Sequence, residues 1–365
     1  MCMTPSNLKT GGHLSFILTP TSMTLFLLRL VLGIVTASAV SLANATDLDH
    51  HPPPFDALAL GLPLECRLGE TCWVANYVDV DPATSARDFR CHARTYEGHD
   101  GTDFAIRDLS VMAAGVPVLA AAPGVVRSTR DGMTDEALTD ALSRERIAGR
   151  ECGNGVVLDH EDGWQTQYCH MRRGTVRVKG NERVARGQEL GLVGLSGKTE
   201  FPHVHVTVRH RGQVIDPFTG QSNIAGCGYV GTSMWHTDQA VSYEPFALYH
   251  AGVTGSPPRI EEIRAGQSKD PSLNATSGAL VLWVDIFGVE AGDRVHFHLT
   301  GPEGAVILDH IMAIAKTQAR HFAYAGARRK ADPWPPGTYR GEVTLSRDSQ
   351  GQTLQGSVQR TMTIR

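Results

Sequence analysis

Two histidines, His203 and His205, lie on one short stretch and are well suited to metal chemistry. Residues 202–209 read Pro-His-Val-His-Val-Thr-Val-Arg, and their β-branched, period-two pattern predicts a strand. On a strand, His203, His205 and Thr207 share one face, so both imidazoles can reach one small site. On a helix the same spacing would turn the two histidines about 200° apart. The alternative is a strand with two solvent-facing histidines.

A second candidate group lies earlier in the chain, where His99 and Asp103 flank Gly101. A tight glycine turn lets an imidazole nitrogen and a carboxylate oxygen meet on one cation. Together with His203-Val-His205, this group offers two histidine nitrogens and one carboxylate. That is the ligand set of a catalytic zinc with a fourth position open for water. Zinc lowers the pKa of a bound water from about 15.7 to about 7, which makes it a nucleophile at neutral pH.

The elements that position these residues are predicted to be short strands joined by glycine turns. Residues 133–149 have the character of a short helix and are interpreted as an insertion on a loop. The pattern therefore predicts a compact all-β domain with one helical insertion. The predicted strands are residues 73–80, two strands within 115–126, the hairpin 153–160 and 164–171, and a strand within 184–194.

The composition is that of an ordinary globular protein. The chain has 365 residues, of which 41% are hydrophobic and 20% charged, so it is long enough for two domains. Its net charge of -4 and pI near 6.5 give no electrostatic reason to expect a nucleic-acid partner.

Residues 1–45 have the features of an export signal. Residues 25–40 are almost wholly apolar apart from Arg29, and Ala43-Asn-Ala45 forms a small-residue cleavage motif. An uncleaved membrane anchor is the alternative, although Arg29 interrupts the run of about 20 apolar residues that a span needs. We predict cleavage near Thr46, no stable membrane span in the mature chain, and a periplasmic or secreted protein.

Six cysteines follow the predicted signal, an even number in a chain addressed to an oxidising compartment. None forms a Cys-x-x-Cys pair, which favours three disulfides over a thiolate zinc site or a redox motif. One pair lies on the two arms of the predicted hairpin and can meet if the glycines at 153 and 155 bulge the strand. The other two pairs rest on proximity and elimination. The predicted pairs are Cys152 with Cys169, Cys66 with Cys72, and Cys91 with Cys227.

The C-terminal part shows a different pattern. Residues 226–257 mix glycine, serine and aromatic residues and are interpreted as a linker. From residue 258 to residue 365, short alternating segments between turn residues favour an immunoglobulin-like β-sandwich. Its tryptophans, Trp283 and Trp334, are interpreted as core residues rather than as a sugar-stacking surface. The alternating segments are residues 279–286, 294–299, 337–345 and 357–364.

A second His-x-His motif, His296-Phe-His298, lies in this C-terminal part. It has no His-x-Gly-x-Asp motif in its own domain. We therefore interpret it as the face of a strand rather than as a second metal site.

Four separate motifs resemble the LytM/lysostaphin-type zinc peptidases, peptidase family M23. The resemblance covers about residues 86–220 and implies a small antiparallel β-sheet groove that holds one zinc and cleaves peptide bonds of bacterial peptidoglycan. The motifs are His99-x-Gly-x-Asp103, Tyr168-Cys-His170-Met, Gly187-Gln-x-x-Gly191 with Gly194, and Pro202-His203-x-His205, closed by Asp216-Pro217.

Carried over to this chain, the resemblance implies that His99, Asp103 and His205 are the zinc ligands. It implies that His170 and His203 form the catalytic pair, in which either one can be the base. Asn76, in the preceding strand, is within reach as an additional, latency-type ligand. The chain departs from the family pattern in three features that bear on the substrate subclass: the predicted helical insertion, Asp100 within the first motif, and Phe201 before Pro202.

The sequence therefore predicts a signal peptide (1–45), an irregular leader (46–85), an M23-type zinc peptidase domain (86–225), a linker (226–257) and a β-sandwich (258–365). Because all five site residues precede Gly220, we expect a cut near Gly255 to leave a folded, metal-binding domain.

The predicted function is that of an exported zinc metalloendopeptidase, which binds one zinc and hydrolyses the peptide stems of peptidoglycan at their cross-links through a zinc-activated water. One alternative is a catalytically silent module that binds the cell wall or activates another hydrolase. Such a module would be expected to lack a ligand or a catalytic histidine, whereas this chain has all five. The other alternative is a secreted protease that acts on glycine-rich proteins.

Overall fold

The computed structural model describes residues 58–138, 145, 147–239, 241–267 and 273–365. Pairing between the named strands is antiparallel, and the two α-helices in these ranges are short, which confirms the prediction of an all-β fold. The predicted signal peptide and residues 139–144 and 146 of the predicted helical insertion lie outside the described residues, and residues 133–138 of that insertion are not helical. Within the described ranges, no helix is long and apolar enough to cross a membrane.

The predicted peptidase region is built on one large sheet, in the strand order β1-β2-β9-β6-β5-β4-β7. Strand β10 pairs with β9 and with β11, and β3 pairs with β8 in a separate two-stranded sheet. A short helix, α1 (Leu109–Ala114), follows β2. The strands are β1 (Cys72–Asn76), β2 (Thr102–Ile106), β3 (Pro117–Leu119), β4 (Gly124–Arg130), β5 (Asn154–Asp159), β6 (Trp164–Met171), β7 (Arg183–Val184), β8 (Glu189–Leu192), β9 (His203–His210), β10 (Gln213–Asp216) and β11 (Gln221–Ser222).

Strand β9 lies between β2 and β6, in the part of the sheet that carries the candidate site. Val204, Val206 and Val208 are buried in the hydrophobic core on one face of the sheet. Because side chains alternate along a strand, His203 and His205 lie on the opposite face. The strand predicted from the alternating pattern therefore forms, with its two histidines on one side.

The hairpin of β5 and β6 contains a bulge, but on the strand opposite the one predicted. Asn154 pairs with Met171 and Val156 with Tyr168, so two residues of β6 face the single Gly155 of β5, and the extra residue lies on β6. Cys152 and Cys169 form a disulfide with their Cα atoms 4.7 Å apart. The other two predicted disulfides, Cys66–Cys72 and Cys91–Cys227, are also present.

The C-terminal region contains two antiparallel sheets, with strand orders β12-β13-β16 and β15-β14-β17-β18. Residues of both sheets form one buried apolar cluster, so the two sheets pack as a sandwich, and an immunoglobulin-like topology stays a prediction. Trp283 and Trp334 are buried, as predicted. Helix α2 (Ile260–Arg264) precedes β13. The strands are β12 (Ala247–Thr254), β13 (Ala279–Val289), β14 (Arg294–Thr300), β15 (Val306–Ala313), β16 (Gln318–Arg328), β17 (Gly337–Ser349) and β18 (Gln352–Ile364).

One range differs from its predicted character. Strand β12 lies within the predicted linker, and it pairs with β13 along its length. Strand β1 overlaps the predicted strand at residues 73–80, inside the predicted leader, and it pairs with β2. Both segments are ordered because they add a strand to a sheet, which satisfies their backbone hydrogen-bonding groups.

A small apolar cluster joins the two regions. Trp73, Ala75 and Ala105, from β1 and β2, pack with residues of β12 and β13. Tyr249 stacks on Phe287 with ring centroids 4.2 Å apart, and Trp73 meets the edge of Tyr249 at 5.7 Å. We call these residues, with Ala247, the junction cluster. The partly buried Phe201, which precedes the His203 strand, packs against it.

Candidate active site

Three side-chain atoms of the predicted ligand set converge in the structure. His99 Nε2 lies 3.1 Å from Asp103 Oδ1 and 3.1 Å from His205 Nδ1, and the last two atoms are 2.9 Å apart. Bonds of about 2.0–2.1 Å to a tetrahedral zinc would separate its ligand atoms by about 3.3 Å. All three residues are buried, and this His-Asp-His group could hold a metal ion.

Strand pairing brings these residues together from distant parts of the chain. Asp103 on β2 is the cross-strand partner of His205 on β9, and Ala105 is the partner of His203. Gly101 makes the approach possible, because a Cβ there would lie 2.5 Å from His205 Nε2 and 2.7 Å from the Val206 carbonyl oxygen. The glycine of the His-x-Gly-x-Asp motif is therefore required by space at the site.

The second nitrogen of each ligand histidine is held by a hydrogen-bond partner. His99 Nδ1 lies 2.6 Å from the Tyr77 carbonyl oxygen, to which it donates a hydrogen bond. His205 Nε2 lies 3.2 Å from Asp100 Oδ1, and Arg209 donates to the other oxygen of Asp100 at 2.8 Å. Such partners fix the tautomer and leave the opposite nitrogen for a metal. Asp100, a departure from the family pattern, is thus the carboxylate that orients His205.

Asn76 contacts the site without joining the ligand atoms. Its side-chain amide donates a hydrogen bond of 2.8 Å to Asp103 Oδ2, the oxygen that does not face the histidines. This bond fixes the carboxylate so that Oδ1 faces the other donors. The structure therefore gives Asn76 an orienting contact rather than the latency-type ligand position considered from the sequence.

The two remaining histidines have matching backbone partners. His203 Nδ1 lies 2.9 Å from the Phe201 carbonyl oxygen, and His170 Nδ1 lies 2.8 Å from the Ser196 carbonyl oxygen. A carbonyl accepts only from an N–H, so both rings carry a proton on Nδ1. The other ring nitrogen of His203, Nε2, lies 3.4 Å from Asp103 Oδ1. The ring centroids of His170 and His203 are 4.7 Å apart.

His170 stands in an unusual backbone conformation, with a φ of 63°. Its amide donates to the Cys152 carbonyl oxygen at 2.8 Å, and the adjacent Cys169 forms the disulfide with Cys152. Left-handed backbone in a residue other than glycine is uncommon and persists where neighbouring structure determines it. The bridged hairpin thus fixes where the His170 ring points.

Burial and neighbouring charges set the protonation of these groups. Burial lowers the pKa of His170 well below its usual range, and the nearby His203 and His205 lower it further. Burial alone would raise the pKa of Asp103, but the neighbouring His99 and His203 hold it well below its usual range. At neutral pH the His170 ring is therefore uncharged, and the Asp103 carboxylate is ionised.

His205 and Asp100 form a coupled pair. Burial opposes the charge on each, but their hydrogen bond raises the pKa of His205 to about 9 and lowers that of Asp100 to about 2. Without a metal, His205 thus carries a proton at neutral pH. A cation bound at Nδ1 would displace that proton, so metal affinity should weaken as the pH falls.

Two cavities flank the convergent donors. One of about 450 Å³ lies beside His203 and Asp103, and one of about 270 Å³ lies beside His170 and His205. Tyr96 and Lys198 line both cavities. The site is therefore reached from two sides, as a cleft for an extended substrate would require.

The C-terminal sandwich lines part of this cleft. Ala319, on β16, borders the larger cavity. Its neighbour Arg320 lies over the ring of Phe201, with the guanidinium carbon 5.5 Å from the ring centroid. Arg320 is in turn held by Asp285 at 3.0 Å and by the Tyr249 hydroxyl at 2.7 Å. Phe201, whose carbonyl accepts from His203, is thus packed against the sandwich.

The structure brings all five predicted site residues into one constellation. Sequence reasoning missed the orienting role of Asp100 and Arg209, although the unexpected acid within the first motif was a signal. It also missed Tyr96 and Lys198, which carry no motif, and Arg320, whose place in the cleft depends on how the two regions pack.

Comparison with known proteins agrees with the motifs. Residues 97–217 match the model of Peptidase family M23. The peptidoglycan DD-endopeptidase ShyA of Vibrio cholerae is 32% identical over 118 residues, which are 32% of this chain and 22% of the relative. The DD-carboxypeptidase/endopeptidase Mpg of Neisseria meningitidis is 30% identical over 131 residues, which are 35% of this chain and 24% of the relative.

A solved zinc-containing peptidase from Vibrio cholerae is 23% identical, covers 43% of this chain and 40% of its own, and has a TM-score of 0.26. The regions of ShyA and Mpg that match this chain make up less than a quarter of the length of each relative. The matched segment contains all five predicted site residues. Residues 97–217 of this chain form a domain of peptidase family M23, and the resemblance carried by its motifs is confirmed.

Proposed function

We propose that this protein is an exported zinc metalloendopeptidase that hydrolyses the peptide cross-links of bacterial peptidoglycan. The observation that carries the proposal is the convergence of three donor atoms within 3.1 Å of one another, beside two further histidines. Relatives named as peptidoglycan DD-endopeptidases support the substrate class. Action on peptidoglycan fits a periplasmic or secreted protein.

The donor set fits zinc. His99 Nε2, Asp103 Oδ1 and His205 Nδ1 would hold one ion per chain, and each ligand side chain has an orienting hydrogen bond. Two imidazoles and one carboxylate leave a position open, as in catalytic rather than structural zinc sites. When bound there, zinc would polarise the scissile carbonyl and supply a nucleophile at neutral pH.

His170 and His203 are the proposed catalytic pair. Each donates a hydrogen bond from Nδ1 to a backbone carbonyl oxygen, so Nε2 is the nitrogen that would accept or return a proton. General acid–base catalysis of this kind contributes about 10²- to 10⁴-fold to the rate. Because burial keeps His170 neutral, it can accept a proton without first losing one.

The cleft walls suit a peptide with charged groups. Lys198 and Tyr96 stand between the two cavities, and Glu97, Glu151 and Arg209 line the smaller one. Peptidoglycan stems carry carboxylates and amines along a short backbone, so polar walls of both signs match them better than an apolar groove would. A secreted protease acting on glycine-rich proteins would lack this match, since glycine has no side chain for these groups to bind.

Digestion of purified sacculi tests the function. The mature protein should release muropeptides cleaved at a cross-link, and a chelator should abolish the release until zinc is restored. Mass spectrometry of the fragments identifies the bond cleaved. If intact sacculi bind the protein but release nothing with zinc present, the silent-module alternative is correct.

Variants separate the proposed roles. His99→Ala, Asp103→Ala and His205→Ala should lose the zinc of this site together with activity, whereas His170→Ala and His203→Ala should keep that zinc and lose turnover. His310→Ala, on the sandwich, is the control and should change neither. Full zinc occupancy in His205→Ala would overturn the ligand assignment.

A further inference from the structure

The second His-x-His motif gains a carboxylate partner in the structure. His296 and His298 lie on β14, and Asp309 on the adjacent strand β15 is the cross-strand partner of His298. His296 Nε2 lies 2.8 Å from Asp309 Oδ1, and His298 Nδ1 lies 3.5 Å from Asp309 Oδ2. The sequence of this domain contains no His-x-Gly-x-Asp motif that could supply a partner. The partner comes from strand pairing instead.

These three side chains share one face of the sheet. His296 and His298 are two residues apart on a strand, and directly opposed residues project to the same side. One candidate ligand atom from each residue lies within 4.8 Å of the others. His298 is also paired on its other side with Glu342 of β17, so a second carboxylate stands in the same row.

We propose that His296, His298 and Asp309 form a second binding site for a divalent transition metal of the zinc class. Two imidazoles and one carboxylate favour zinc over calcium or magnesium, which prefer ligand sets made of oxygen atoms. The site is separate from the catalytic centre, because its ligands come from the sandwich sheet β15-β14-β17-β18.

The proposed second site lies at the edge of its sheet. Strand β15 is the edge strand of its sheet and pairs only with β14 among the named strands. A metal held by β14 and β15 together would cross-link that edge. The half-exposed histidines and the spread of the donor atoms make this site looser than the catalytic one, whose donors are buried and lie within 3.1 Å. It should therefore release zinc first when a chelator is added.

Equilibrium dialysis of the full mature chain against buffered zinc tests the proposal. The unmodified protein should bind one zinc more than His298→Ala and one more than Asp309→Asn, and the loss of a ligand should weaken that site by at least about tenfold. His310→Ala is the matched control: it neighbours Asp309, but its cross-strand partner Phe297 is a core residue, so it lies on the other face.

Each outcome decides the proposal. Loss of one zinc in both variants, with two retained in His310→Ala, supports it. Equal zinc binding by the unmodified protein and both variants overturns it, whether each binds one zinc or two. In either case none of the bound zinc is held by His296, His298 and Asp309. Cleavage of sacculi by His298→Ala should stay at the unmodified rate, so failure here is distinguishable from failure of the catalytic proposal.

Discussion

Arg320→Leu tests whether the sandwich positions a catalytic histidine. Arg320 lies on β16 of the sandwich, and it contacts none of the five site residues in a hydrogen bond or ion pair of the described structure. It reaches the site through Phe201. The guanidinium carbon lies 5.5 Å from the centroid of the Phe201 ring, and the Phe201 carbonyl oxygen accepts a hydrogen bond of 2.9 Å from His203 Nδ1. Leucine keeps the apolar contact and removes the cation.

The expected effect follows from the strength of the lost contact. A cation–π interaction contributes about 0.5–2 kcal/mol, the upper end when it is desolvated. The Arg320 side chain is 13% exposed, so the upper half of this range applies. If that energy holds Phe201 in place for His203, its loss lowers kcat by up to about 30-fold. After the substitution, the buried Asp285 carboxylate would still have its ion pair with Arg264 at 2.9 Å and its hydrogen bond from the Tyr249 hydroxyl. The substitution therefore does not leave a buried carboxylate without partners.

The assay is steady-state cleavage of a soluble cross-linked muropeptide, with zinc content measured on the same samples. We expect kcat to fall while zinc content stays at the unmodified level, because no ligand is touched. Arg294→Leu is the control, since Arg294 is an arginine of the same sandwich in an exposed ion pair with Asp348. An unchanged kcat in Arg320→Leu would refute the positioning role. A fall in kcat accompanied by zinc loss would refute it too, because the whole site would then have loosened.

Three further changes test the site and the fold. Gly101→Ala should remove the zinc of the His99, Asp103 and His205 site, measured by metal analysis, because its Cβ would lie 2.5 Å from His205 Nε2. Replacing both Cys152 and Cys169 with alanine should lower the free energy of unfolding by about 3 kcal/mol in urea titrations, since their bridge closes a short loop. His250, whose pKa burial lowers to about 4, is neutral in the folded protein but protonates near pH 6.5 when unfolded. Stability should therefore fall by up to roughly 3 kcal/mol as the pH drops from 6.5 towards 4, and His250→Gln should remove this part of the pH dependence in thermal melts.

Much of the site could be predicted because its residues sit in local patterns. The alternation of residues 202–209 fixed which side chains share a face, and β9 forms there with His203 and His205 on one side. The hairpin pattern predicted that Cys152 meets Cys169, which is confirmed, but the bulge expected at glycines 153 and 155 lies instead on the opposite strand, β6. These features depend on neighbours in the chain, for which sequence patterns carry information.

The residues that escaped prediction depend on pairing between distant strands. Asp309 approaches His296 and His298 only because β15 pairs with β14. No local sequence pattern predicts the register of that pair. Strand β15 itself was not predicted, because its side chains are mostly exposed and show no clean alternation of burial. The sequence predicts a linker where β12 forms, since its glycine and aromatic residues do not make a simple strand pattern. Its order comes from pairing with β13.

The junction cluster changes the expectation for a cut near Gly255. Such a cut leaves β12 in the first fragment but removes β13, to which β12 is paired from Ala247 to Thr254. It also removes Phe287, which stacks on Tyr249 and lies 5.3 Å from the ring of Phe201. The remaining chain would expose an apolar face on β1 and β2. It would also leave Phe201, whose carbonyl accepts a hydrogen bond from His203, without its packing against Phe287. The ligand residues all stay in that fragment, so it should still bind zinc if it folds, but its turnover should be impaired. The sandwich thus lines part of the candidate active site, through Ala319. If the proposed function is correct, zinc binding and turnover should separate when the sandwich is removed.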